Sequence, residues 1–380
     1  MTSPTEPGAR RAAVVGTGLI GGSIGMALRA QGWHVTGTDL DPARTARALE
    51  LGALDAVGDD PLAEITFVAT PVRAVAPAAR AALAATALRH AAGTAFGHAA
   101  GTPPTPAGGG VVTDVGGVKA PVVSEVGDPR FVGGHPMAGS EHEGVEGADP
   151  NLFEGATWVL TPTLDTDPDA YRRVRSVVHS LGADVVALPP DRHDALVAMV
   201  SHVPHLAAAV LMTLAADGAE EHAAVLRLAA GGFRDMTRVA AGHPGIWLDI
   251  CAENREAIVD GLDRLVSSLC VVRDRVAARD WEVLATMLER ARAARVNLPA
   301  RLARPENLVE LRVPLLDRPG ALADVTTLFA ELDVNIESFD IAHSPGGGRG
   351  VLVLVVQAEA DERVRAALRD RGYRPSSRQL

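Results

Sequence analysis

The stretch VVGTGLIGGSIGMAL, residues 14–28, decides how the N-terminal part of the chain folds. An apolar run stops at Gly16, Gly18 and Gly21, and small and apolar residues continue beyond them. A strand that ends in Gly-x-Gly-x-x-Gly and reopens as a helix makes a tight turn, brings backbone close to a pyrophosphate, and aims the helix's unpaired N–H groups at the anion. Leu19 and Ile20 stand between the second and third glycines and complete that turn. A second strand-like run, WHVTGTDLD, carries Asp39 about twenty residues on, where a carboxylate binds a ribose 2′-hydroxyl and repels a 2′-phosphate. The pattern therefore predicts a dinucleotide site with NAD preferred over NADP. Thr70 and Pro71, closing the run ITFVATPV, are expected to join the cofactor wall. A purely structural turn is the alternative reading of the glycines.

Around this stretch the chain separates into three regions. Up to residue 188, short β-rich runs alternate with helical stretches: RRAAVVGTG, WHVTGTDLD, ITFVATPV, GGGVVTDVG, RFVGGHP, ATWVLTP and ADVVALPP. That alternation predicts an α/β domain with a Rossmann-like, doubly wound parallel sheet over 1–188. From Pro189 and Pro190 the strand signals vanish and long apolar-periodic stretches take over, which predicts an all-helical domain over 189–299. After the Arg/Pro-rich linker LPARLARPEN, the order strand, helix, strand, strand, helix, strand predicts a ferredoxin-like module over 307–380.

Composition narrows the function classes. A net charge of −11 argues against a nucleic-acid groove, which needs concentrated positive charge. No stretch of about eighteen uninterrupted apolar residues occurs, and the first twelve residues are polar; a soluble, cytoplasmic protein with no membrane partner is expected. Cys251 and Cys270 lack any metal or redox spacing and read as fillers. The expected partner is a small molecule, and no metal site is expected.

Three further stretches carry chemistry. In TDVGGVKAP, residues 113–121, Lys119 is the only lysine among 36 basic residues, which suggests a use for a compact point charge on a flexible stem. The second stretch, FVGGHPMAGSEHEG, places His135 on a glycine-flanked loop, suited to act as acid or base near neutral pH, with a solvent-facing loop histidine as the alternative. Both stretches follow strands at the ligand-binding end of the sheet, so Asp114, Lys119 and His135 are expected to converge beside the nicotinamide. In the third, RHDALVAMVSHVPHLAAA, His202 and His205 share one helical face; no acidic third ligand stands at a metal spacing, so one of them either contacts substrate or is a core histidine. The polar break AAGGFRDMTRVAAGHPGIWLDI offers Arg234, Asp235, Arg238 and Trp247. An arginine there suits a two-pronged grip on a carboxylate, which favours Arg238, while Arg234 reads as a surface ion-pair partner.

Taken in order, GTGLIGGSIG, TDVGGVK, GGHPMAGSE, VSHVPH and GGFRDMTR resemble the prephenate/arogenate dehydrogenase family of tyrosine biosynthesis. The resemblance implies oxidative decarboxylation: NAD+ takes a hydride from the ring carbon bearing the hydroxyl, and the ring carboxylate leaves as CO2. It implies that His135 accepts the proton from, or polarises, the ring hydroxyl, that Lys119 lies close to the cofactor and that hydroxyl, where a cation favours the developing oxyanion, and that Arg238, positioned by Asp235, holds a substrate carboxylate. By the same resemblance His205 lies near the substrate side chain, His193 lines the cleft, and Trp247 stands where the family uses a tryptophan from the partner subunit of a homodimer. Gly117 departs from the family's usual serine, which leaves the ring-hydroxyl contacts open. The third region, LLDRPGALADVTTLFAELDVNIES, resembles the ACT regulatory family, with Gly320, Ala321, Asn335 and Ile336 implied as effector contacts and tyrosine as effector. A two-domain hydroxyacid dehydrogenase would want a lysine in the helical region, which has none. His205 leans the choice toward prephenate, because an acidic neighbour would better hold arogenate's ammonium; arogenate dehydrogenase and a non-catalytic amino-acid sensor remain the alternatives.

Overall fold

The strand that opens the glycine turn is β1 (Arg11–Val15), at the middle of an eight-stranded sheet. The computed structural model describes residues 10–95, 109–139, 144–221, 225–242, 244–297, 308–316, 318, 320–343 and 349–379. The other strands of the sheet are β2 (His34–Thr38), β3 (Ala56–Val57), β4 (Ile65–Val68), β5 (Val111–Asp114), β6 (Phe131–Pro136), β7 (Thr157–Thr161) and β8 (Asp184–Ala187). Their order is β3-β2-β1-β4-β5-β6-β7-β8. Every residue of β4 and β5 is buried, as in a parallel sheet covered on both faces.

Helices α1 (Leu19–Ala30), α2 (Pro42–Glu50), α3 (Val72–Ala95), α4 (Ala120–Val126) and α5 (Pro168–Ser180) supply those covers. One core joins Val14, Ile24, Leu28, Val35, Phe67, Phe153 and Trp158; the other joins Val68, Val75, Leu83, Val112, Val118 and Phe131. The expected Rossmann-like parallel sheet is present, with one reversal: β7 runs antiparallel to β6. A parallel return needs a crossover, usually a helix. Between β6 and β7 the described residues hold a single short 3₁₀ turn, Val145–Gly147, and the chain doubles back.

Strands end with β8 and helices take over: α6 (Pro190–Val197), α7 (Val203–Glu221), α8 (Gly231–Thr237), α9 (Pro244–Glu253), α10 (Arg255–Ala278) and α11 (Trp281–Val296). The five residues Ala198–His202 between α6 and α7 form a π turn. Pro204, the second residue of α7, has no N–H to give, and a wider turn just before it absorbs the mismatch. The helical run Pro190–Ala219 is long and apolar enough to cross a membrane by length and composition. It also carries His193, Asp194, His202 and His205, all buried and bonded or stacked within the protein, which suits a folded interior.

Residues 1–286 and 287–380 form two compact units. The second holds β9 (Leu308–Leu316), α12 (Ala321–Glu331), β10 (Ser338–His343), β11 (Arg349–Gln357), α13 (Asp361–Asp370) and β12 (Ser376–Gln379). Its sheet, β10-β11-β9-β12, is antiparallel throughout and encloses Leu311, Val313, Val325, Phe329, Leu352 and Leu368. This is the ferredoxin-like order of the sequence reading. Gly320, at φ +87°, caps α12 in the left-handed region that glycine tolerates, Ala321 begins the helix buried, and Asn335 and Ile336 lie just ahead of β10.

Candidate active site

At the glycine turn the three glycines do different work. Gly16 has φ +96°, and a Cβ there would stand 2.4 Å from the Ala69 carbonyl oxygen. A Cβ on Gly21 would lie 1.9 Å from the Gly16 oxygen, so α1 can approach β1 only without a side chain at that position. Gly18 meets nothing within 4 Å, and no side chain caps α1. The protein itself therefore requires glycine at 16 and 21, whereas Gly18, Leu19 and Ile20 open the helix toward free space with its first N–H groups available for an anion. The Asp39 carboxylate, at the end of β2, accepts from Thr17 N–H at 2.8 Å, which sets it beside the turn. Thr70 and Pro71 lie between β4 and α3, and the buried Thr70 hydroxyl has no hydrogen-bond partner among the described residues. An open glycine face, an uncapped helix start and a carboxylate for the ribose fit NAD.

At the end of β6, Gly133 and Gly134 bring the chain close to its neighbours. A Cβ on Gly134 would stand 2.6 Å from the Asp114 oxygen, and one on Gly133 2.4 Å from Thr161 Oγ1. The β5–β6 ladder pairs Val112 with Phe131 and Thr113 with Val132, and beyond it side chains continue the work. Asp114 Oδ1 accepts from Gly134 N–H at 3.0 Å, while Lys119 Nζ donates to the Gly134 oxygen at 2.8 Å. Asp114 Oδ2 accepts from Gly116 N–H at 2.9 Å and is paired with the Lys119 ammonium. Both side chains are fully buried. Burial pushes the Lys119 ammonium down, opposed by the Asp114 charge and hydrogen bond and then by Asp194. Lys119 and Asp114, expected beside the nicotinamide, have their polar atoms engaged inside the protein, gripping the peptide that precedes His135.

The His135 ring is held from the other side. Its Nδ1 lies 2.9 Å from His193 Nε2, and His193 Nδ1 lies 2.8 Å from Asp194 Oδ1. Asp194 comes from α6 and caps α4, accepting Lys119 N–H and Ala120 N–H at 2.8 Å each. His193, expected in the cleft wall, is instead fully buried behind His135. His135 itself is half-buried, and its other edge faces Gly117, where a Cβ would stand 3.8 Å from Nε2. Burial first, then the electrostatic influence of His193, Lys119 and His202, holds the His135 pKa well below the ordinary 6.5. The ring is neutral at neutral pH and able to take a proton.

Beyond it, His202 is buried against Asn254, whose Nδ2 lies 3.2 Å from His202 Nδ1 and also donates to the Asp194 carbonyl at 3.0 Å. Burial lowers the His202 pKa to about 4. His205 stacks on Trp247 with ring centroids 3.4 Å apart and planes 14° from parallel. That contact lies within one chain. Gly242 fits under both rings, since a Cβ there would stand 3.1 Å from Trp247 Nε1 and 3.2 Å from His205 Cε1. The 3₁₀ turn Arg238–Ala241 leads into Gly242, with Arg238 and, at the end of α8, Asp235 both exposed. Arg73 at the start of α3 pairs with Asp249 at 3.2 Å and Glu253 at 3.4 Å, tying α9 to α3. Asp194 and Asn254 escaped the sequence reading; each is a single polar residue in a helical stretch, with no motif around it.

A dinucleotide turn and a neutral, buried-edge histidine at the same end of a doubly wound sheet define an oxidoreductase that pairs hydride transfer with proton transfer. Sequence profiles of the prephenate dehydrogenase nucleotide-binding domain, the prephenate dehydrogenase dimerization domain and the ACT domain match residues 105–187, 189–290 and 309–372. Prephenate dehydrogenase of Bacillus subtilis (strain 168) is 32% identical over 362 residues, 93% of each chain. Among solved structures, arogenate dehydrogenase of Synechocystis is 31% identical and superposes with a TM-score of 0.61, covering 75% of this chain and 98% of its own. Prephenate dehydrogenase of A. aeolicus, in complex with hydroxyphenyl propionate and NAD+, is 28% identical with a TM-score of 0.66, covering 76% and 98%. The chain belongs to the prephenate dehydrogenase family and carries an ACT domain at its C-terminal end.

Proposed function

We propose that the protein converts prephenate to 4-hydroxyphenylpyruvate by oxidative decarboxylation. The observation that carries this reading is His135, held neutral with one ring edge turned toward the space beside Gly117. NAD+, when bound along the glycine turn and Asp39, supplies the hydride acceptor. His135 takes the proton of the ring hydroxyl while the hydrogen on the same carbon leaves with its electron pair. The bond from the ring to its carboxylate then breaks, CO2 departs, and the electrons aromatise the ring and return to the oxygen, which recovers a proton. Arg238 holds a substrate carboxylate, Asp235 positions it, and His205 with Trp247 borders the substrate side chain. The grip of Lys119 and Asp114 on Gly134 keeps the His135 backbone in place. The three-part organisation 1–188, 189–299 and 307–380 assigns cofactor binding, substrate binding with dimerisation, and regulation.

Arogenate is the second reading, supported by the similarity to the Synechocystis enzyme. Prephenate is favoured because burial keeps His205 neutral and no carboxylate is part of the His205–Trp247 stack. A homodimer is supported by the apolar residues that the helical region leaves exposed, among them Val210, Leu214, Val266 and Leu269. Tyrosine is the proposed effector at Gly320, Ala321, Asn335 and Ile336. The test is NADH formation with NAD+ and either prephenate or arogenate, each with and without tyrosine. Turnover of prephenate, inhibited by tyrosine, is expected. Turnover of arogenate alone would replace the substrate, turnover of neither would overturn the reading, and indifference to tyrosine would remove it as effector.

A further inference from the structure

The buried groups behind His135 form a chain with a direction. A carboxylate only accepts hydrogen bonds, so Asp194 fixes every donor around it. Its oxygens receive the first two N–H groups at the start of α4, from Lys119 and Ala120, and Oδ1 also meets His193 Nδ1 at 2.8 Å. His193 Nδ1 must therefore carry a proton. With Nδ1 donating to Asp194, the neutral form of His193 turns its Nε2 lone pair toward His135. The atom 2.9 Å from that lone pair, His135 Nδ1, is then the donor. The remaining nitrogen, His135 Nε2, is left without a proton, at the edge facing Gly117.

We propose that Asp194 and His193 are positioning residues that lock His135 in the tautomer whose Nε2 accepts the substrate proton. This rests on the proposed reaction and adds the device that prepares its base. When the ring-hydroxyl proton arrives on Nε2, the imidazolium keeps its Nδ1–H bond to His193, and the Asp194 charge is felt through that bond. The groups facing His135 are His193 and Asp194 from α6, Asp114 from the end of β5, Lys119 from just before α4, and His202 from the π turn. Asn254 anchors the arrangement from the segment between α9 and α10 by donating to the Asp194 carbonyl. Helix α6 belongs to the helical region and His135 to the sheet, so the tautomer is set only where the two regions meet.

The test joins a magnetic-resonance measurement to kinetics. In the full-length protein with ¹⁵N-labelled imidazoles, His135 signals are identified by their loss in His135→Asn. Wild type is expected to show Nδ1 protonated and Nε2 bare, and Asp194→Asn, whose amide can donate to His193, a mixture of both tautomers. With the substrate that wild type turns over, His193→Leu is expected to lower kcat about 10–100-fold with KM little changed, as for lost support of a reacting ligand. His193→Gln, which can still accept from His135 Nδ1, is expected to recover most of that loss. In Asp194→Asn the acid limb of kcat/KM is expected at lower pH, because a charge that favoured the imidazolium is gone. A protonated Nε2 in wild type would overturn the proposal even if the His193 and Asp194 variants do not fold. So would wild-type kcat and pH profile in His193→Leu. If wild type turns over neither prephenate nor arogenate, the proposed reaction falls while the tautomer still decides the role of Asp194.

Discussion

The glycine turn and the His135 corner stand at the same end of one sheet but are built in opposite ways. At the turn, the requirement falls on the backbone: Gly16 and Gly21 are fixed by contacts of 2.4 Å and 1.9 Å that any side chain would make, and the ligand face at Gly18 stays open. At the corner, side chains act on side chains, with His135 held through Gly134 by the buried Asp114–Lys119 pair and through its ring by His193 and Asp194. The turn is written within one short stretch of chain. The corner gathers residues from β5, β6, α6 and the start of α4, so it depends on the two regions being packed together. A backbone site tolerates change anywhere but at its glycines; a side-chain site is sensitive along its whole network.

Four substitutions or conditions press on this contrast. The largest effect is expected from His135→Asn, with a fall in kcat of roughly 10²-fold or more and NAD+ affinity retained, since proton transfer is lost and the turn is untouched. Unchanged turnover would take His135 out of the reaction. Arg238→Ala should come next, raising KM for the substrate far more than it lowers kcat; an unaltered KM would count against a carboxylate grip. Acid stability is a milder probe of the corner. His202 is lowered to about 4 and His135 and His205 are lowered as well, so below the ordinary pKa of 6.5 the unfolded chain binds protons that the folded one refuses. Stability is then complete above pH 6.5 and lost as pH falls from there toward about 4, which thermal melting across that window would reveal. A melting temperature flat through the window would contradict the burial of these rings. Gly117→Ser should do least. With 3.8 Å between its Cβ position and His135 Nε2, a serine hydroxyl fits without a clash, and a change in KM below about tenfold is expected while melting stays constant. No change in KM would place Gly117 away from the ring-hydroxyl contact.

Much of this architecture could be read from the chain alone, for reasons that also explain what could not. The runs that became β1, β4 and β5 are continuous apolar segments bounded by turn residues, and the second unit follows its strand and helix order closely. Strand direction leaves no trace in hydrophobic periodicity, so the reversal of β7 was hidden. Lys119 stood out by its rarity, yet composition cannot say whether an ammonium meets a substrate or a buried carboxylate. His193 was visible as a histidine near the site but not as a ring behind another ring. Asp194 had no signal at all: its importance comes from reaching the N-terminus of α4 across the junction of two regions, which only the folded chain shows. The stacking of Trp247 on His205 of the same chain was equally out of reach, since it depends on the turn through Gly242.

The most direct test of a histidine held neutral for proton transfer is kcat/KM against pH, measured by NADH formation for wild type and His135→Asn side by side. The expected result is a wild-type profile level through neutrality, with an acid limb well below pH 6.5 that is missing from the residual activity of His135→Asn. The same acid limb in both proteins would contradict the account, because the titrating group would then lie elsewhere.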